Sequence, residues 1–209
     1  MKKIILFLMA FCLMAPVINA QNKALEKALK KEYKSKMKEI KDNNWQVFGS
    51  SRSVEVTLLT HFDKLQKLGE DGHVVVGVAS KFKSKNVGKQ MSINNACNTY
   101  AQGAGSHVKG RVVNDMAGDD VEADKEMDNF YGAYERLVQK EIKGEMQESY
   151  SLIRSNGDGT FEMQTYFIVS EKAATQARIR ALENAAKESA AAQKYAQKVS
   201  DFVREGFSE

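Results

Sequence analysis

The chain has 209 residues, 43% of them hydrophobic and 28% charged, with a formal net charge of +4, two cysteines and one proline. That balance excludes a collagenous, low-complexity or disordered chain, and the length supports one packed domain rather than several. Two cysteines exclude a disulfide-rich scaffold, and so small a net charge is poor support for nucleic-acid binding.

Lys2 and Lys3 precede the apolar run Ile4–Val17, which is too short to span a bilayer comfortably as a mature helix and leads to Ile18-Asn19-Ala20. Residues 1–20 therefore read as a secretory signal peptide cleaved before Gln21, with an uncleaved anchor as the alternative. Phe11 precedes Cys12, where lipoprotein processing needs a small residue, so the expected product is periplasmic or secreted and not a lipoprotein. Without the leader the net charge falls to +2, Cys97 is the only cysteine, and Pro16 is gone, so long helices can run without interruption.

Leu25, Leu29, Tyr33, Met37 and Ile40 recur at helical spacing and predict an amphipathic helix over 22–42. Residues 21–44 hold eight lysines against four carboxylates, a net of +4, while the rest of the mature chain is slightly acidic. The stripe either packs on the body of the domain or leaves the lysines to meet anionic lipid or another envelope polyanion. Because the stripe is narrow and the charge is segregated, residues 21–44 read as an appended interaction element beside a single domain over 45–209. Lys23, Lys27, Lys30, Lys31, Lys34 and Lys38 are the candidates for contact with a polyanion or partner.

Asp42-Asn43-Asn44 ends this helix, and Trp45–Gly49 is a short extended segment. Ser50 to Ser53 offer N-caps for a second helix with the stripe Val54, Leu58, Leu59, Phe62, Leu65 and Leu68, closed by Gly69–Gly72. Val74–Ala79 is β-branched and bounded by glycine and polar residues, as expected of an interior strand. Residues 87–108 follow as a helix with the inward stripe Met91, Ala96, Cys97, Tyr100, Ala104 and Val108. Residues 119–144 form a further helix with aspartates near its start. Two apolar runs flank Ser155–Thr160, where Gly157 and Gly159 suit positive φ, and predict a β-hairpin. From an N-cap at Ser170, an alanine-rich helix is expected to run to about Glu205.

The expected fold is α+β: a small, mainly antiparallel sheet of three to four strands, the fourth an edge strand near Trp45. Long small-residue helices cover one face, and an N-terminal amphipathic helix is added.

His61, His73 and His107 stand apart with no H-E-x-x-H or C-x-x-C, so neither a metal nor another cofactor is expected. Cys97 with His107 formally matches a thiol nucleophile and its base, but Cys97 falls on an inward stripe and reads as a buried structural cysteine. Asn156, Asp158 and Thr160 alternate as in a calcium loop, without the closing glutamate, and read as a plain turn. Asp120, Asp124 and Asp128 share a helical face that could hold a loose cation, but a solvated helix start accounts for them.

The strand Val74–Ala79, the small-residue helix around Ala96–Ala101, the aromatic strand Phe161–Phe167 and the alanine-rich helix together resemble the domain of lipoprotein-20-like proteins. The N-terminal part of flagellar assembly protein T shares that pattern. The likeness covers about 73–200 and implies a non-enzymatic envelope protein with no catalytic residues to carry over. Separately, Trp45–Ser50 followed by Leu58–Leu65 is similar to stretches of uncharacterised exported proteins of Gram-negative bacteria. The expectation is an exported envelope binding or structural protein. An envelope hydrolase with an unrecognised site is the alternative, to be preferred if a pocket joins Cys97 or a histidine to a carboxylate.

Overall fold

The computed structural model of the chain describes residues 23, 24, 26–115 and 121–206, without the side chains of 112–115 and 121–124. The expected leader over 1–20 lies outside the described residues, as do Asp119 and Asp120. Helix α1 takes in residues 23, 24 and 26–42. Then come β1 (Gln46–Phe48), α2 (Val54–Leu68), a 3-10 turn (Gly69–Asp71), β2 (Gly72–Phe82) and α3 (Lys85–Asp115). The chain continues through α4 (Val121–Glu145), β3 (Gln147–Ser155), β4 (Phe161–Ser170), α5 (Glu171–Ala185) and α6 (Ala190–Glu205).

The fold is α+β, built on a four-stranded antiparallel sheet in the order β1-β3-β4-β2. The hairpin forms as the turn residues require. Gly157 and Gly159 have φ of 82° and 80°, and the Asn156 amide donates to the Thr160 carbonyl at 3.0 Å. Asp158 accepts from the Thr160 amide at 2.9 Å and from its hydroxyl, which holds the Asp158 carboxyl below its usual range, so these oxygens serve the turn itself.

Alternation along β4 sends Met163, Phe167 and Val169 to one face and Tyr166 to the other. On the first face lie the small residues of α3 and α5, with Ala96, Cys97, Ala174 and Ala177 fully buried. Here a glycine is needed: a Cβ built on Gly77 of β2 would lie 1.8 Å from the Ser92 carbonyl oxygen of α3. Four hydroxyl and lysine groups cross this contact. Lys89 Nζ donates to Ser151 Oγ, Ser151 Oγ lies 3.0 Å from Thr165 Oγ1, Thr165 Oγ1 lies 2.7 Å from Ser92 Oγ, and Ser92 Oγ donates to the Lys89 carbonyl at 2.8 Å. Beyond the sheet, α3, α4, α5 and α6 close around a second apolar centre that includes Phe130, Tyr134, Leu182, Tyr195 and Val199.

The opposite face is covered as well. Met37 and Ile40 of α1, Trp45, and Leu58 and Phe62 of α2 pack against Tyr150, Leu152 and Tyr166. Ile40 is 1% exposed, and Leu29 and Tyr33 of the earlier turns are partly buried against the same cluster, with Tyr33 edge-on to Phe62 at 6.1 Å, so the apolar stripe of α1 from Leu29 onward packs on the body of the domain.

Three other expectations change. The strand expected in the interior, β2, is at a sheet edge: α3 covers Val75, Gly77 and Ala79, while Val74 and Val78 are 42% and 43% exposed. A run of valines satisfies one covered face and one open face as well as two covered ones. In α2 the buried stripe is Leu58 and Phe62 with Thr57 and His61, while Leu59 turns outward; Met91 likewise lies outside the stripe of α3. The alanine-rich helix is two helices. Lys187 and Glu188 turn, and the Ser189 side chain accepts from the Ala192 amide at 2.9 Å as a new N-cap. The break lets α6 return to Phe130 and Tyr134 instead of running past them. The Ser170 cap forms as expected, accepting from the Ala173 amide at 3.2 Å.

Candidate functional site

Three features could carry function: the lysine face of α1, a pocket between β1 and α2, and a cleft beside α3 and α5. Two of the eight lysines in residues 21–44 are used internally. The Lys36 ammonium stands 4.9 Å from the centre of the Tyr166 ring, and Lys41 lies 3.5 Å from Glu55 of α2. The other six, Lys23, Lys27, Lys30, Lys31, Lys34 and Lys38, are all exposed. At 3.6 residues per turn they fall within an arc of about 100° that includes none of the helix's own carboxylates. Among the described residues, none of the six has an ion-pair partner. Glu26 and Asp42 stand four residues from Lys30 and Lys38 and border the arc, so the face is net positive and not free of opposing charge.

The second feature depends on a bulge. The register of β3 on β4 shifts between Glu148 and Tyr150, which brings both Ser149 and Tyr150 to His61 of α2. His61 Nδ1 and Ser149 Oγ share a hydrogen bond of 2.9 Å, and the imidazole meets the Phe62, Tyr150 and Tyr166 rings edge-on. Burial, with Lys64 and Lys36 adding to it, pulls the His61 pKa down to about 4, so the ring is neutral. Ser149, Tyr150, Phe48, Arg52 and Thr57 line a pocket of about 220 Å³ beside this pair. Among the described residues no carboxylate is hydrogen-bonded to His61, so the pair lacks the third group that would orient a catalytic base.

The third feature is a cleft of about 370 Å³ at the start of β2, between α3 and the first turns of α5. Arg178 is its foundation. It sits on the alanine stripe of α5 at 1% exposure and donates through Nη2 to Glu171 Oε1 and, at 2.7 Å, to Thr175 Oγ1. Its Nη1 donates to the Tyr100 hydroxyl of α3. Burial opposes the Glu171 charge, but Arg178 and Thr175 outweigh it and hold the carboxyl below its usual range. Glu171 Oε2 is 3.1 Å from His73 Nε2. Burial raises the Tyr100 pKa against the pull of Arg178, so the phenol stays protonated. His107, Thr99, Gly103, Val74 and Val75 complete the walls.

Residues distant in sequence thus converge here, and among the described lining residues only Tyr100 and Ala104 belonged to an expected stripe. A charged side chain at position 178, between Ala174, Ala177 and Ala181, was the available signal. Cys97 is not in the cleft, and burial pushes its thiol up, which makes it a poor nucleophile. Among the described residues no group of three or more His, Cys, Asp or Glu is arranged to hold a metal ion, and no helix is long and apolar enough to cross a membrane. No protein-family model matches the chain, no curated protein matches it and no solved structure matches it.

Proposed function

We propose that this protein is an exported cell-envelope binding or structural protein without catalytic activity, and that the lysine face of α1 holds it against an anionic envelope surface. The observation that carries the reading is the segregation of Lys23, Lys27, Lys30, Lys31, Lys34 and Lys38 on one exposed arc while Lys36 and Lys41 serve the fold. The leader-like residues 1–20 support an exported address, and the likeness to lipoprotein-20-like domains supports the envelope. Nucleic acid is not a partner in this reading. Each lysine near an anionic surface contributes on the order of 1 kcal/mol, so the face acts as a sum and a single substitution is a weak probe.

The test replaces all six lysines by glutamine, which leaves Leu29, Tyr33, Met37 and Ile40 packed on the core. The variant should keep the melting temperature and lose sedimentation with phosphatidylglycerol vesicles at low salt. The unaltered protein should bind, and should release as salt shortens the screening length. Equal sedimentation of the six-glutamine variant defeats the proposal.

The histidine–carboxylate pairing set as the condition for the hydrolase alternative is present, His73 lying 3.1 Å from Glu171 in a cleft, so the hydrolase stands as the second reading. Against it, the side-chain hydroxyls of that cleft are those of Thr99 and of Tyr100, the latter already accepting from Arg178. Turnover of any ester or amide that is abolished by His73→Gln would reverse the preference.

A further inference from the structure

We infer that the cleft between β2, α3 and α5 is a binding site for a small organic carboxylate with an apolar body. The inference goes beyond the lysine face and does not depend on it, because none of the six lysines lines the cleft. Its volume of about 370 Å³ suits a ligand of this kind, and its lining divides by chemistry. Val75, Ala104 and the open flank of Gly103 make the apolar side. Tyr100, Thr99, His73 and His107 make the polar side.

The sign of the ligand follows from how the charges are already used. The Glu171 carboxylate has Arg178 and Thr175 on one oxygen and His73 beside the other, so an incoming cation finds the one carboxylate among the described lining residues engaged. Arg178 and Glu171 are paired in opposite charge, and neither an imidazole ring nor the protonated Tyr100 phenol carries negative charge. The Tyr100 oxygen accepts from Arg178 Nη1, which leaves the phenol's own hydrogen to donate and polarises it toward an acceptor. A carboxylate oxygen is the acceptor that this donor and the histidine rings favour. Gly206, just past α6, lies behind the pair: a Cβ built there would be 3.0 Å from Glu171 Oε1. The floor of the cleft is thereby fixed from two sides.

The test uses the full mature chain with benzoate as probe, benzylamine as its cationic counterpart, and the imidazole Cε1–H signals as reporters. Benzoate should shift the signals of His73 and His107, leave that of His61 on the opposite sheet face unmoved, and outcompete benzylamine. A Cβ at Gly103 meets nothing within 4 Å, so Gly103→Leu should fold, fill the cleft and abolish the shifts. Gly110→Leu, also on α3 in open space, should bind as the unaltered protein does. His73→Gln should weaken binding by about three- to tenfold, the scale of one hydrogen bond. The inference is overturned by preference for benzylamine, by equal movement of all three histidines, or by benzoate binding that survives Gly103→Leu. The six-glutamine variant of α1 should bind benzoate normally, so failure at one site is separable from failure at the other.

Discussion

Among the described glycines, Gly77 of β2 is the one whose added Cβ would come nearest a neighbour, Ser92 of α3, and it sets a demanding test of how the helix is seated. A Gly77→Ala methyl would lie 1.8 Å from the Ser92 carbonyl oxygen, 2.8 Å from its carbonyl carbon and 2.9 Å from Ala96 Cβ. The first two are backbone atoms of a long helix, so no side-chain rotation relieves the clash. Restoring van der Waals separation requires α3 to withdraw by roughly 1.5 Å, since non-bonded heavy atoms settle at about 3.5 Å. Overpacking of this kind costs about 1–3 kcal/mol. The same displacement would stretch the 2.7 Å bond between Ser92 and Thr165, and a buried hydroxyl left without its partner costs about 1–3 kcal/mol more. We expect Gly77→Ala to lower the unfolding free energy by about 3 kcal/mol, read from urea denaturation followed by circular dichroism with an unchanged slope. Gly132→Ala is the control: it lies within α4 with nothing near its Cβ, and should stabilise by about 0.5–1 kcal/mol. A loss below about 1 kcal/mol for Gly77→Ala would refute the close seating of α3 on the sheet.

Two further perturbations probe the fold. The folded pKa of His61 is depressed to about 4 from an ordinary 6.5, so its stability contribution is complete above pH 6.5 and is lost as pH falls from there toward 4. At 1.36 kcal/mol per unit, the full loss is roughly 3 kcal/mol, and His61→Gln should flatten the stability profile between pH 6.5 and 4.5; identical slopes in the two proteins would contradict the burial of a neutral ring. Gly157→Val places a β-branched residue at a φ of 82° and should cost about 2 kcal/mol, with Gly157→Asn costing less; equal melting temperatures for all three would argue against this turn.

What the sequence made legible was the chemistry carried by neighbouring residues. The hairpin was readable because Gly157 and Gly159 announce positive φ within a single turn, and the Ser170 cap because the switch from strand to helix spacing occurs beside it. The edge position of β2 was not, because pairing partners are chosen from residues about 90 positions away, such as Ile168 opposite Val74. The break before α6 was hidden since no glycine or proline marks it; Ser189 becomes a cap only because Tyr195 and Val199 have a surface to return to. The covered second face was half visible: Met37 and Ile40 stood in the predicted stripe, but nothing local distinguishes the turns that touch Leu152 from those that project. The cleft was the least legible. His73, Tyr100, Glu171 and Arg178 come from three elements, and a guanidinium among alanines gains meaning only when Tyr100 and Glu171 are brought to it.

The groups that cross between Gly77 and the hairpin also have a direction. An ammonium can only donate and a carbonyl can only accept, so Ser92 donates to the Lys89 carbonyl and Thr165 to Ser92, while the Ser151 hydrogen has two acceptors at 3.0 Å, Thr165 Oγ1 and Glu148 Oε1. The path begins and ends on Lys89. Alanine stripes are nearly featureless and would tolerate α3 sliding along the sheet, because small side chains offer no interlocking shape. A closed ring of polar contacts works as a keyed lock: sliding α3 by one turn, or slipping β3 on β4 by one residue, would part Ser92 or Ser151 from Thr165 and open the ring at a place water cannot reach. Where packing leaves several seats nearly equivalent, three hydroxyls and one lysine choose among them.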